Sequence, residues 1–450
     1  MTNDIENALF GLKNNAARYG RYERYYDGDH DLAFATEKFE NTFGTLFREF
    51  ALNLCPVVCD AVRDKLQVTG FGVDSLGKSD GFSRSDRETP EGVTLTSRRI
   101  WHSNRMAVRA GEVHKEALKN GDAYAIVWPD ASGRAVIFPQ RAANIAVEYD
   151  EDAPGVITRG AKYWRDADKF VRLNLFYADR IEKYISRNKS EGSLPDAGDF
   201  VPLSEVRPLG EASAGSRHSD VVPNPFGRVP VFHFANNADI GQPGRSELEA
   251  AIPIQDGLNK AVLDMLVAME FTAFRQRWAA GIEIEYDETG KPIAPFKAGV
   301  DSLWISSDPQ AKFGDFAAGD LEQFLKVKDG FRVDIASVTG TPLHYLLQTS
   351  GELPSGESLK RSETRFIAKV RDRQANFGQV WADVMEFALA IEGRPGVSLI
   401  TEWEDPSPIS ERDRLENILL KKQIGLPVEQ ALIEAGYGAA DVDAMKGTVS

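Results

Sequence analysis

At 450 residues the chain is too long for one simple hydrophobic core, and roughly two to four packed units are expected. Hydrophobic residues make up 42% and charged residues 27%, a globular balance that excludes an extended disordered or low-complexity protein. A net charge of −15 excludes a protein that grips nucleic acid by wholesale counterion release, leaving either no nucleic acid or DNA that passes without sticking.

Tyr19, Tyr22, Tyr25 and Tyr26 make a helical aromatic stripe that ends at Asp27-Gly28. A second helix is expected from about Phe43 to Leu66, with Phe43, Phe47 and Phe50 feeding a core. It carries the only cysteines, Cys55 and Cys59, whose spacing stacks them on one face; with no second pair to complete a zinc site, they read as buried thiols. A polar connector follows Gly70-Phe-Gly, and a helix over about Thr96–Lys119 stops at Asn120-Gly121.

The period then changes to two. Ala123–Trp128, Ala135–Phe138, Ile145–Tyr149, Val156–Trp164 and Phe170–Phe176 read as strands. Asn188–Pro230, rich in Gly, Pro, Ser and acid, reads as a surface excursion. Ile254–Ala280 reads as one long helix, with Leu258, Val262, Leu266 and Met269 at helical spacing. A Gly/Pro-punctuated insert, Gly281–Gly319, precedes a helix over about Asp320–Val338, the pattern of a hairpin carrying a tip. Gly340-Thr-Pro stops that helix and Leu346–Gly356 reads as a loop. A third long helix spans about Glu357–Ile391, with Phe366, Val370, Phe377 and Trp381 on its apolar face. Within Ser410–Ser450, one helix ends near Lys422 and a shorter one follows Pro427. Ala261–Val267, interrupted by Asp264, falls far short of a membrane span, so no membrane is expected. The N-terminus, Met1-Thr-Asn-Asp-Ile-Glu, lacks the basic start and apolar core of a secretory signal, so a cytosolic place of synthesis is expected.

Gly72-Val-Asp-Ser-Leu-Gly77-Lys78-Ser79 spells a Walker A motif letter for letter. A working P-loop bridges a buried strand and a helix N-terminus, where backbone N–H groups cradle phosphate. Here Gln67-Val-Thr-Gly-Phe is short and polar, Asp80–Pro90 cannot begin a packed helix, and Ala125-Ile-Val-Trp-Pro-Asp130 is interrupted by Pro129. A chance match is the preferred reading, and a P-loop NTPase stays as the alternative. No zinc-protease or hydrolase signature occurs, and His102 and His114 read as surface or core-edge residues. No catalytic, metal-binding or cofactor-binding residue is assigned.

A basic row marks the third long helix. Arg361, Arg365, Lys369 and Arg373 recur at i+4 beside Lys360 and Arg371, inside an acidic chain. It reads either as a solvated face or partner to a neighbouring subunit's acids, or as a contact with DNA phosphate.

Tyr25-Tyr-Asp-Gly-Asp-His30, Asn53-Leu-Cys-Pro-Val-Val-Cys-Asp-Ala-Val62, Thr69-Gly-Phe71 and Trp101-His-Ser-Asn104 occur in that order. They are followed by Ala117-Leu-Lys-Asn-Gly-Asp-Ala-Tyr124, Gly244-Arg-Ser-Glu-Leu248, Ile254-Gln-Asp-Gly-Leu-Asn259, Thr339-Gly-Thr-Pro-Leu343 and Pro354-Ser-Gly-Glu-Ser-Leu-Lys360. In this succession, over nearly the whole chain, the sequence resembles the portal proteins of long-tailed bacteriophages, in the version common in phages of actinobacteria.

The resemblance implies an α+β portal fold assembled as a ring. Residues 1–239 would form an α/β wing, 240–280 and 320–340 the two stem helices, and 281–319 a small β-containing clip. Residues 341–356 would form the tunnel loop, 357–409 the long wing helix and its return, and 410–450 a helical crown. It implies a structural protein without catalysis or cofactor, twelve copies forming a DNA conduit at one vertex of the virion. Its partners would be the terminase large subunit, head–tail adaptors, and scaffold or major capsid protein. Double-stranded DNA would pass without sequence readout. Ser350, Gly351 and Ser355 of the loop, with Lys360 and Arg361, are the expected DNA-facing residues; Arg365, Lys369 and Arg373 are expected to pair between subunits. Another virion head protein is the second alternative, opposed by the helix–insert–helix pattern.

Overall fold

The computed structural model describes residues 2–33, 41, 52–74, 90–153, 155–206, 219–273, 277–281, 287–289, 309–315, 321–347, 356–407 and 411–435. They divide into two compact units. The first comprises Met1–His30, Asn53–Gln255 and Val333–Ser450, the second Asp31–Leu52 and Asp256–Arg332.

In chain order the elements are α1 (Thr2–Asp27), α2 (Cys55–Arg63), β1 (Val68–Val73), α3 (Pro90–Ser103), α4 (Met106–Asn120), β2 (Asp122–Pro129), β3 (Ala135–Gln140), β4 (Ile145–Tyr149) and β5 (Ile157–Arg165). Then come β6 (Phe170–Phe176), β7 (Arg180–Lys189), β8 (Phe200–Pro202), α5 (Leu203–Val206), β9 (Val221–Pro223), β10 (Val231–Ala235), α6 (Ile252–Ala273) and β11 (Arg277–Ala280). The last are β12 (Lys312–Asp315), α7 (Glu322–Thr339), α8 (Leu343–Leu346), α9 (Gly356–Ile391), β13 (Leu399–Trp403), α10 (Glu411–Gln423) and α11 (Val428–Glu434). The fold is α+β, and every strand pair among the described residues is antiparallel.

The six-stranded sheet runs β4-β5-β6-β7-β8, with β9 also on β7. Its alternation puts Val171, Leu173 and Leu175 on one face, where α1 lays Ile5, Leu9 and Leu12 against them, all buried. Full burial of each such side chain contributes about 1.5–3 kcal/mol. The three-stranded sheet β10-β2-β3 packs on α9 through aromatic rings. Phe234 stands 4.6 Å from Trp381 and 6.0 Å from Phe377, ring centroid to centroid. At the centre the Trp381 indole N–H donates to His114 Nε2 at 2.8 Å. His114 is therefore a core residue and not an edge one, and burial pushes its pKa down to about 3.

Three expected helices end or break inside their expected bounds. Residues 43–51 of the expected Phe43–Leu66 helix lie outside the described ones; 52–54 are irregular and α2 starts only at Cys55. There the Cys55 N–H donates to the Asn53 side-chain Oδ1 at 3.1 Å and Pro56 fills the first turn. Thr96–Lys119 splits into α3 and α4 at Arg105, a left-handed residue with φ 55°. Asn104 accounts for the break: its amide bridges the Ile100 and Ala135 carbonyls and the Ile137 N–H at 2.9–3.0 Å, tying the helix corner to β3. The Ile254–Ala280 helix ends at Ala273, and Arg277–Ala280 pair with Lys312–Asp315 as a ribbon. Trp278 lies across Gly314, where a Cβ would stand 2.6 Å from the indole, so the absent side chain makes room for the ring.

Candidate functional site

The basic row on α9 leads to a buried charged centre of the first unit. Four residues advance a helix by slightly more than a turn, so an i+4 row drifts about 40° per step around the axis. The drift separates its members. Arg365 is exposed, and its guanidinium reaches the Ser337 carbonyl at 3.4 Å. Lys369 and Arg373 turn inward, with side chains 15% and 6% exposed. Both meet Glu247: Lys369 Nζ lies 2.6 Å from Oε2, and Arg373 donates from Nη2 and Nε to Oε1 at 3.0 and 3.2 Å. Burial alone would raise the Glu247 pKa, but the adjacent Lys369 and Arg373 charges outweigh it and hold the carboxyl below its ordinary value. Lys369 also donates to the Thr339 carbonyl at 2.8 Å, joining the end of α7 to α9.

Glu247 is placed by a backbone weld between two segments. Gly121 takes φ 91° and turns the chain from α4 into β2. Its carbonyl accepts the Asn236 N–H at 2.7 Å, the Lys119 carbonyl accepts the Ser246 hydroxyl at 2.5 Å, and the Leu118 carbonyl accepts the Glu247 N–H at 2.9 Å. Gly244 sits so close that a Cβ there would stand 1.9 Å from the Gly121 oxygen. Its N–H donates at 2.8 Å to Asp122, a fully buried carboxylate. Asp122 also accepts Tyr19 Oη at 2.7 Å and Arg18 at 2.8 Å, and faces His233 Nε2 at 2.8 Å. Burial would raise the Asp122 pKa; these partners lower it on balance.

Lys360 and Arg361 lie near the start of α9. Their side chains, like Ser350, Gly351 and Ser355, lie outside the described residues. Of the Walker A spelling, only Gly72-Val73-Asp74 is described. The strand before it, β1, pairs antiparallel with β13 in a two-stranded ribbon, whereas a P-loop follows a strand buried within a sheet.

Residues 11–445 match the model of the family described as phage portal protein, SPP1 Gp6-like. The chain belongs to that family. It is similar to the portal protein of Mycobacterium phage L5, 28% identical over 239 residues, covering 50% of this chain and 49% of the relative. It is also similar to that of Mycobacterium phage D29, 27% identical over 238 residues, with 50% and 49% covered. The chain spans about half the length of the curated relatives it matches. A solved structure, the neck of an empty GTA particle computed with C6 symmetry, aligns at TM-score 0.47 and 14% identity, covering 85% of this chain and 88% of that one. Within this portal-family chain, two of the sequence marks, Ala117–Tyr124 and Gly244–Leu248, are the two halves of the weld. Glu247 itself was not singled out by sequence. Its place inside the second mark was the available signal.

Proposed function

We propose that the protein is the ring-forming portal subunit, a conduit for double-stranded DNA entering and leaving the capsid. The carrying observation is the family match over residues 11–445. Twelve copies stand at one virion vertex, without catalytic activity. The ring docks the terminase large subunit during packaging, then head–tail adaptors, and meets scaffold or major capsid protein as it assembles. The proposal carries with it the domain plan of wing 1–239, stem 240–280 and 320–340, clip 281–319, tunnel loop 341–356, wing helix 357–409 and crown 410–450. The succession of α6, the β11–β12 ribbon and α7 favours a stem that carries a clip, with β11 at Arg277–Ala280 starting the clip ribbon a few residues before 281. A net charge of −15 per copy favours DNA that slides rather than adheres.

Lys360 and Arg361, with Ser350, Gly351 and Ser355 before them, face the DNA in this proposal. Arg365 keeps the intersubunit role; Lys369 and Arg373 add to it from a pairing already made with their own chain's Glu247. The test is the double variant Lys360→Ala, Arg361→Ala in assembled particles. It should leave rings intact and alter DNA packaging or retention. Rings that fail to form, with normal packaging by those that survive, would remove the DNA-facing assignment.

A further inference from the structure

Where α8 meets the start of α9 the first unit buries a second carboxylate, Glu363, whose side chain is 8% exposed. Oε1 lies 3.2 Å from His344 Nε2 and accepts the Tyr345 hydroxyl at 3.3 Å. Oε2 is buried and has no hydrogen-bond partner among the described residues. The contrast with Glu247 is one of charge. Glu247 meets two permanent cations, Lys369 and Arg373. Among the described residues Glu363 is answered only by an imidazole, which is a cation only when protonated. A carboxylate buried with so little compensation is costly, and its orphaned oxygen calls for a proton, a water or an ion.

The geometry favours an ion. Zinc binds histidine nitrogen and carboxylate oxygen at about 2.0–2.2 Å, so two ligands on one tetrahedral ion stand about 3.3 Å apart, close to the separation of Nε2 and Oε1. Tyr345 occupies the place of a supporting donor. Burial and the Glu363 charge raise its pKa, so the phenol keeps its proton and donates it to the carboxylate. The His344 ring packs edge-on against Tyr345, centroids 4.5 Å apart, which fixes its direction. Its side chain is 33% exposed, which leaves an ion a way in. Imidazole with carboxylate suits zinc and its transition-metal neighbours, whereas magnesium and calcium take shells of oxygen. Among the described residues no three His, Cys, Asp or Glu side chains gather into a metal centre, so water completes the shell.

We infer that His344 and Glu363 form a zinc site, the ion held by Nε2 and both carboxylate oxygens and joining α8 to α9.

Zinc chloride alone is the probe, titrated calorimetrically into the full-length chain after treatment with EDTA and removal of the chelator. Wild type is expected to bind one zinc per chain and to melt at a higher temperature as zinc is added. Glu363→Gln and His344→Ala should lose both effects, and Tyr345→Phe should bind about 10–100-fold more weakly. His344 is partly exposed, so His344→Ala keeps the test open if Glu363→Gln does not fold. Cobalt in place of zinc should give wild type a visible absorption band that His344→Ala lacks. Zinc that binds equally well to wild type and His344→Ala sits elsewhere and overturns the inference. Absence of saturable binding by wild type overturns it too, and leaves Oε2 to a proton or a water.

Discussion

Replacing Glu247 by Gln leaves two cations in the first unit without their counter-charge. Glu247 is 8% exposed in its side chain, Arg373 6% and Lys369 15%, so water can compensate little. Removing one partner of a buried ion pair costs about 3–5 kcal/mol, because the charge left behind stays desolvated. Lys369 retains the Thr339 carbonyl and Arg373 the adjacent Asp372, which places the expected loss at the low end, about 3 kcal/mol. Against a usual total of about 5–15 kcal/mol, that shift is readily measured. The assay is urea unfolding followed by tryptophan fluorescence, since Trp381 is fully buried on the same helix, α9. The pH dependence carries the same information. The folded Glu247 pKa lies below that of an ordinary glutamate, so its contribution is complete above the ordinary value and lost as pH falls through the folded one. Glu247→Gln should lack that part of the acid-side loss. A change below about 1 kcal/mol, with an unaltered acid limb, would refute the claim that this pair network holds α9 to the weld. Replacing the trio with apolar residues of similar volume should recover most of the loss.

Gly244→Ala should cost about 3 kcal/mol or more, or abolish soluble expression, because the new Cβ meets the Gly121 oxygen at 1.9 Å and backbone cannot yield. Gly330→Ala is its control: within α7 the added Cβ meets nothing within 4 Å, so thermal denaturation should show a stable protein, improved by up to about 1 kcal/mol. His114 binds its proton only near pH 3 when folded but near 6.5 when unfolded, so stability should fall as pH drops from 6.5 towards 3. His114→Gln should flatten that decline in urea midpoints measured across the range; an equally steep profile would place the titration elsewhere.

Long periodic elements were legible in the sequence because many residues vote for each. α1 and α9 stand where their aromatic and apolar stripes place them, and the two thiols of α2 are buried as their spacing suggested. Short elements were not. β10 and β13 offer five residues each, and β13 is recognisable only afterwards, from Leu399 and Thr401 inside with Ile400 and Glu402 outside. The α3–α4 break rests on one asparagine whose partners lie on β3, a tertiary fact with no local signature. The basic row was visible, but helical spacing says which residues share a face and not what covers it. The acid that meets Arg373 lies 126 positions away in sequence. Charge alone therefore suggested a neighbouring subunit for residues that find an acid in their own chain.

Electron microscopy of the purified wild-type protein, with native mass spectrometry to count copies, tests the central claim most directly. The account predicts closed rings around a central hole, because a head-to-tail contact between identical chains closes into cyclic symmetry. Monomers at every concentration, or open filaments without closure, would contradict it.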